Sequence, residues 1–128
     1  MPTRRRMLAA LVVSSLALLS GCGTLTPDQM ANADYGPEPT EYETTITTYM
    51  ERRLFDPYSA VYRFGQPRKG YAYVNGTIWA PEFGWIVEAE INGKNRMGGY
   101  VGLQPYTFFF QWAEVQALES FVTWRYAQ

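Results

Sequence analysis

Histidine is absent from this 128-residue chain, and cysteine occurs once, at Cys22. Without imidazole there is no Ser-His-Asp or Cys-His catalytic set, and a lone thiol cannot build an ordinary zinc site. A single cysteine forms no intramolecular disulfide, so bridges within the chain do not hold this fold. Basic residues are scarce beyond the start. Of 11 Lys and Arg, three are Arg4, Arg5 and Arg6, and the other eight face 12 Asp and Glu, a net of −4. A nucleic-acid binder needs a basic face, so this balance argues for no nucleic acid. It gives no attraction to anionic lipid either. The apolar run Met7–Leu19 has only 13 residues. As a helix it rises about 20 Å, short of the roughly 30 Å of a hydrocarbon core, so a retained transmembrane span is not expected.

What is present starts with an address. The three arginines, the apolar run and the small residues Ser20 and Gly21 have the layout of a secretory signal peptide. Leu19-Ser20-Gly21-Cys22 resembles the lipobox of bacterial lipoproteins. The resemblance implies that Cys22 is acylated, that the chain is cut just before it, and that the new amino group is acylated too. One acyl chain binds a membrane marginally, at ~0.8 kcal/mol per buried CH₂, whereas two or three anchor a domain stably. Gly23, a residue other than Asp, implies the inner leaflet of an outer membrane by likeness to enterobacterial sorting, with the domain facing the periplasm. Thr3-Arg4-Arg5-Arg6-Met7-Leu8 also faintly resembles a twin-arginine export signal, but the long apolar run favours the general secretory route. The expected organisation is a signal peptide at 1–21, a lipid-bearing Cys22 with a flexible tether over 22–39, and one α+β domain over 40–128.

The tether assignment rests on Pro27, Gly36, Pro37 and Pro39 and on few large apolar groups. Thr40-Glu41-Tyr42-Glu43 fits a capping box, and Tyr42, Ile46, Tyr49, Met50 and Leu54 share one helical face. A helix over about 41–55 is expected, despite the β-branched run from Thr44 to Thr48, because Pro57 disfavours helical geometry at Asp56. Ser59–Phe64 alternates as a half-buried strand, with Ala60, Tyr62 and Phe64 inward. Residues 65–70 read as a turn-rich loop. Asn75-Gly76 is a type I′ hairpin signal between 71–74 and 77–79, or a bulge in one longer strand. Trp85, Val87, Ala89 and Ile91 face in and Glu88 and Glu90 face out, and Asn92-Gly93 is a second hairpin signal. Tyr106–Trp112 reads as an apolar strand. Residues 113–126 read as a terminal helix on the spacing of Val115, Leu118 and Val122, while Phe121–Trp124 read equally as strand. The fold class is α+β, an N-terminal helix packed on an antiparallel sheet of four or five strands.

Three constellations bear on function. In the candidate binding loop, Gly98 and Gly99 offer backbone amides beside Lys94, Asn95, Arg96 and Tyr100. That is the make-up of an anion nest or of a plain turn, and no Walker or dinucleotide spacing supports a nucleotide. Glu88 and Glu90 lie roughly 7 Å apart on one strand face, a spacing usable for glycoside hydrolysis but common on solvent faces. Trp79, Trp85, Trp112 and Trp124 suit either a sugar platform or a core, in a chain that is 16% aromatic.

Leu54–Tyr62, Ile91–Asn95 and Gly98–Gly102 together resemble a domain of small uncharacterised bacterial exported proteins over about residues 45–112. That likeness implies a compact domain and no catalytic residues. The expectation is a lipid-anchored envelope lipoprotein without enzymatic activity, cofactor or metal, which binds a protein partner. The alternative is a peptidoglycan- or glycan-binding module, with a carboxylate-dependent hydrolase third.

Overall fold

Alternation dictates the longest element, β3 (Glu82–Lys94), in which Val87, Ala89 and Ile91 are buried on one face and Ile86 on the other. The computed structural model describes residues 25–112 and 114–128. The signal segment and Cys22 lie outside the described residues. Around β3 stand β1 (Asp56–Phe64), β2 (Arg68–Ala72), β4 (Gln104–Gln111), β5 (Glu114–Ala117) and β6 (Trp124–Tyr126). All pairs are antiparallel, in the order β5-β4-β3-β2-β6, with β1 also on β3. Among the described residues six strands therefore replace the expected four or five. β4 occupies one edge of β3, so β1 and β2 share the other, with Phe64 opposite Ala89 and Arg68 opposite Ile86.

That shared edge corrects the loop expected over 65–70. Only residues 65–67 leave the ladder, and Gly65 N donates to Glu88 O at 2.8 Å across the gap. Asn75-Gly76 does form a tight turn, with φ of 57° and 73° and Thr77 N donating to Val74 O at 3.2 Å. Strands do not flank it directly, however, because β2 ends at Ala72 and β3 starts at Glu82. Asn92-Gly93 is not a turn. Val61 opposes Asn92, which keeps the ladder running to Lys94, and the chain reverses where Gly98 supplies a φ of 79°.

The helix α2 (Tyr42–Glu51) is shorter than the pattern suggested, and Glu41 caps it without a side-chain hydrogen bond. The expected Thr40–Glu43 capping box is absent. Its threonines are accommodated because Thr45 and Thr47 Oγ1 donate to the carbonyls of Glu41 and Glu43, both at 2.8 Å. Burial then outweighs poor propensity: Ile46 and Met50 are 0% and 1% exposed. They join Val87, Ala89, Ile91, Phe108 and Phe110 in one cluster, flanked by Ala60, Tyr62, Phe64, Val115 and Ala117.

No helix forms over 113–126 in the described residues. β4 presents an edge that β5 fills, pairing Val115 with Phe110 and Ala117 with Phe108. The chain then returns across the opposite face, where Leu118, Val122, Trp124 and Tyr126 cover Ala72, Val74, Ile86 and Phe109. Residues at helical spacing thus serve two separate clusters.

The segment assigned to a flexible tether is also built upon. α1 (Pro27–Ala31) carries the capping box that α2 lacks, Thr26 with Gln29. Tyr35 is 7% exposed, its hydroxyl donates to Met30 O at 2.8 Å, and its ring meets Phe83 edge-on at 5.6 Å. Trp85 Nε1 donates to Gly36 O at 3.2 Å. The domain therefore begins before Thr40.

Candidate functional site

The loop 94–100 is pinned at both sides. Lys94 and Tyr100 form an isolated bridge, Lys94 Nζ stands 5.2 Å above the Tyr100 ring, and Tyr100 Oη donates to Ser59 O at 2.8 Å. Inside the loop Asn95 Oδ1 accepts from Met97 N at 3.0 Å and Gly99 N at 3.1 Å, and Asn95 O accepts from Gly98 N at 3.0 Å. Those are the amides an anion nest would offer. Asn95 already satisfies them, so the loop is a self-closed turn with Arg96 exposed beside it.

The structure separates the two strand carboxylates by giving each a different partner. Glu88 Oε2 accepts from Tyr126 Oη at 2.6 Å, while Arg68 stacks 3.6 Å from the Tyr126 ring centroid. Burial, and then the Glu88 hydroxyl bond and charge, push the Tyr126 phenol up to about 12. Glu90 lies 3.8 Å from Arg63 on the exposed surface, a weak pairing. Together they border a shallow groove of about 270 Å³ lined by Arg63, Pro105 and Thr107. Glu88 adds a side-chain tie from β3 to β6, which β2 already pairs into the sheet.

The tryptophans part company as well. Trp85 and Trp124 are half-buried, whereas Trp79 is 87% and Trp112 64% exposed. Trp112 has a φ of 53°, strained for a residue with a side chain, and lies over Gly36. They share one end of the sheet rather than forming a lined glycan groove.

Two surface features escaped sequence reasoning. A groove of about 540 Å³ runs between α2 and β5, lined by Thr44, Thr48, Tyr49, Arg52, Arg53 and Val115. Arg53 is stacked 3.5 Å from the Tyr49 ring centroid there, and Tyr49 Oη accepts from Ala117 N at 3.1 Å. The second is a collection of exposed apolar residues at the sheet end where β1 begins and β3 turns into β4: Phe55, Tyr58, Met97, Tyr100 and Val101. The Tyr100–Ser59 hydrogen bond and the Asp56–Lys94 ladder pair join its two halves, and 41 positions of sequence separate Ser59 from Tyr100. No local pattern signals such a pairing.

Among the described residues, no group of three or more acidic, His or Cys side chains is placed to hold a metal ion. No helix there is long and apolar enough to cross a membrane. Comparison with protein families, curated proteins and solved structures finds no match to this chain.

Proposed function

We propose that this chain is an envelope lipoprotein, held by acyl groups on Cys22 in the outer membrane's periplasmic leaflet, whose α+β domain binds a protein partner without catalysing a reaction. The lipobox-like Leu19-Ser20-Gly21-Cys22 supports the anchor. The partner reading is carried by the exposed apolar end, where Tyr58 and Met97 are each 94% exposed and Val101 is 55%. Clustered apolar exposure of this kind favours a macromolecular contact. The self-closed loop at Asn95 and the Glu88–Tyr126 bond make a small anion or a glycosidic bond a poorer fit.

A photo-crosslinker at Tyr58 tests this in whole cells. One defined envelope protein should be captured, and the capture should fail when Met97→Asp is added to a domain that still folds. Equal capture with and without Met97→Asp would dismiss the apolar end as the binding surface. For the anchor, Cys22→Ser should abolish palmitate labelling, since serine lacks the acylatable thiol; labelling that persists would remove the lipoprotein assignment. A glycan module is favoured by the exposure of Trp79 and Trp112 alone. Saturable peptidoglycan binding that Trp79→Ala or Trp112→Ala removes would put that function first.

A further inference from the structure

The described chain starts at Leu25, three positions after Cys22, and joins the domain at one particular end. Tyr35 packs on Phe83 near the start of β3, and a Cβ placed on Gly36 would meet the Trp112 ring at 3.4 Å. This is the end where β2 and β4 finish and β3, β5 and β6 begin. It also carries the most exposed large apolar side chains that lie outside the partner surface. Ile78 is 70% and Trp79 87% exposed in the β2–β3 connection, Trp112 is 64% exposed in the β4–β5 turn, and Phe121 is 83% exposed before β6. Fourteen positions separate Cys22 from Gly36, five of them in α1. At about 3.5 Å per extended residue and 1.5 Å per helical one, Gly36 lies within about 40 Å of the acylated residue.

We infer that this end rests on the bilayer: with acyl chains on Cys22, Ile78, Trp79, Trp112 and Phe121 insert into the interfacial zone of a zwitterionic phospholipid surface. The inference rests on the lipoprotein assignment above. Indole suits that zone because its apolar body meets the acyl chains while its N–H stays among the headgroups. Glu82 and Glu114 stand at the same end, so anionic headgroups add no attraction and the rings supply the contact. A short tether holds them at a high effective concentration near the surface, where weak insertion suffices. The domain is thereby oriented with Tyr58, Met97 and Val101 pointing away from the membrane, towards the periplasm.

The test uses the purified full-length lipoprotein in phosphatidylcholine vesicles containing phospholipid brominated on its acyl chains. Bromolipid should quench part of the tryptophan emission, with no change on adding salt. Trp79→Phe and Trp112→Phe should each lose a share of the quenchable emission, and the fold tolerates Trp79→Phe because that ring is exposed. Mass measurement of the amino-terminal peptide reports the acyl chains independently. Acylated Cys22 without bromolipid quenching overturns the inference and leaves the anchor standing, whereas an unacylated peptide overturns both. Rings that bromolipid does not reach, but that added envelope protein shields from iodide, belong to a protein contact and equally overturn it.

Discussion

On one face of the sheet a helix does the covering; on the other the chain itself returns as an irregular band. α2 sets Ile46 and Met50 over five buried residues of β3 and β4, a layer with regular periods on both sides. The band from Leu118 to Tyr126 covers only four, Ala72, Val74, Ile86 and Phe109, and leaves the groove beside Glu88 and Glu90 open. Only its last residues are held in a ladder, β6 on β2, which Tyr73 N to Thr123 O and Ala127 N to Lys69 O extend at 2.9 Å. A small sheet needs one complete layer to fold. The second face needs cover only where large rings stand, and a segment with so few buried contacts opens before the rest.

A large effect is expected at Gly84, where β3 lies closest to β4 and to the Phe109 ring. Gly84 opposes Gly70 in the ladder, and a Cβ on Gly84 would lie 2.3 Å from Phe110 O and 2.9 Å from Phe109 Cε2. Gly84 leaves room for the Phe109 ring, and Gly70 leaves room for the Ile86 side chain and the Arg125 carbonyl. Gly84→Ala should therefore cost about 3 kcal/mol or more, since both backbone and ring would have to move. A urea midpoint within error of the parent protein would mean that β3 meets Phe110 and the Phe109 ring less tightly there.

Neighbouring phenylalanines dissect the comparison. Phe108 and Phe109 are both 0% exposed, yet they belong to different clusters. Truncation of either to Ala should cost about 3–5 kcal/mol, a large part of the stability of a domain this size. Hydrogen exchange distinguishes them. Phe109→Ala should speed exchange first at the Tyr73 and Ala127 amides, whereas Phe108→Ala should release α2 and expose the Met50 amide. Identical protection patterns in the two variants would mean one cooperative core, not two.

This asymmetry also explains what could be read from the chain alone. The helix-covered face was legible because Trp85–Ile91 and Ser59–Phe64 alternate and because Ile46 and Met50 fall one turn apart. Strand number and the C-terminal band were not. Val115 and Leu118 have helical spacing but serve opposite faces, a fact fixed by the edge of β4 rather than by local pattern. Among candidate site residues, the turn at Asn75-Gly76 and the loop from Lys94 to Tyr100 stood in the sequence. The engagement of Asn95 with its own loop amides, and of Glu88 with a tyrosine 38 positions away, did not.

A smaller effect should separate the band from the helix by pH. The Tyr126 phenol is raised from 10.0 to about 12, first by burial and then by Glu88. Its folded state holds the proton more tightly, so this contribution is complete below about pH 10 and is lost as pH rises towards 12. Tyr35, Tyr42 and Tyr62 are raised as well, chiefly by desolvation, and add slope of the same sign. Tyr126→Phe should cost about 0.5–1 kcal/mol at neutral pH, because the bond is partly solvated. It should also flatten, without abolishing, the fall in melting temperature above pH 10. An unchanged alkaline slope would mean that the Glu88 bond does not hold the band.

The smallest effect belongs to Gly93, in the same strand as Gly84 but on the helix-covered face. Its place in an Asn-Gly pair suggests a positive-φ turn that would reject a branched side chain. In the structure Gly93 lies within β3, is not among the positive-φ glycines, and would bring a Cβ only to 3.4 Å from Leu54 Cδ2, an ordinary contact. Valine favours extended backbone and loses less freedom than glycine on folding, which offsets modest crowding against Leu54. Gly93→Val should therefore shift stability by no more than about 1 kcal/mol in either direction, against the much larger loss at Gly84. A loss at Gly93 matching that at Gly84, measured in the same urea titrations, would show that the strand turns at Asn92 in solution and that the pairing of Asp56 with Lys94 does not form.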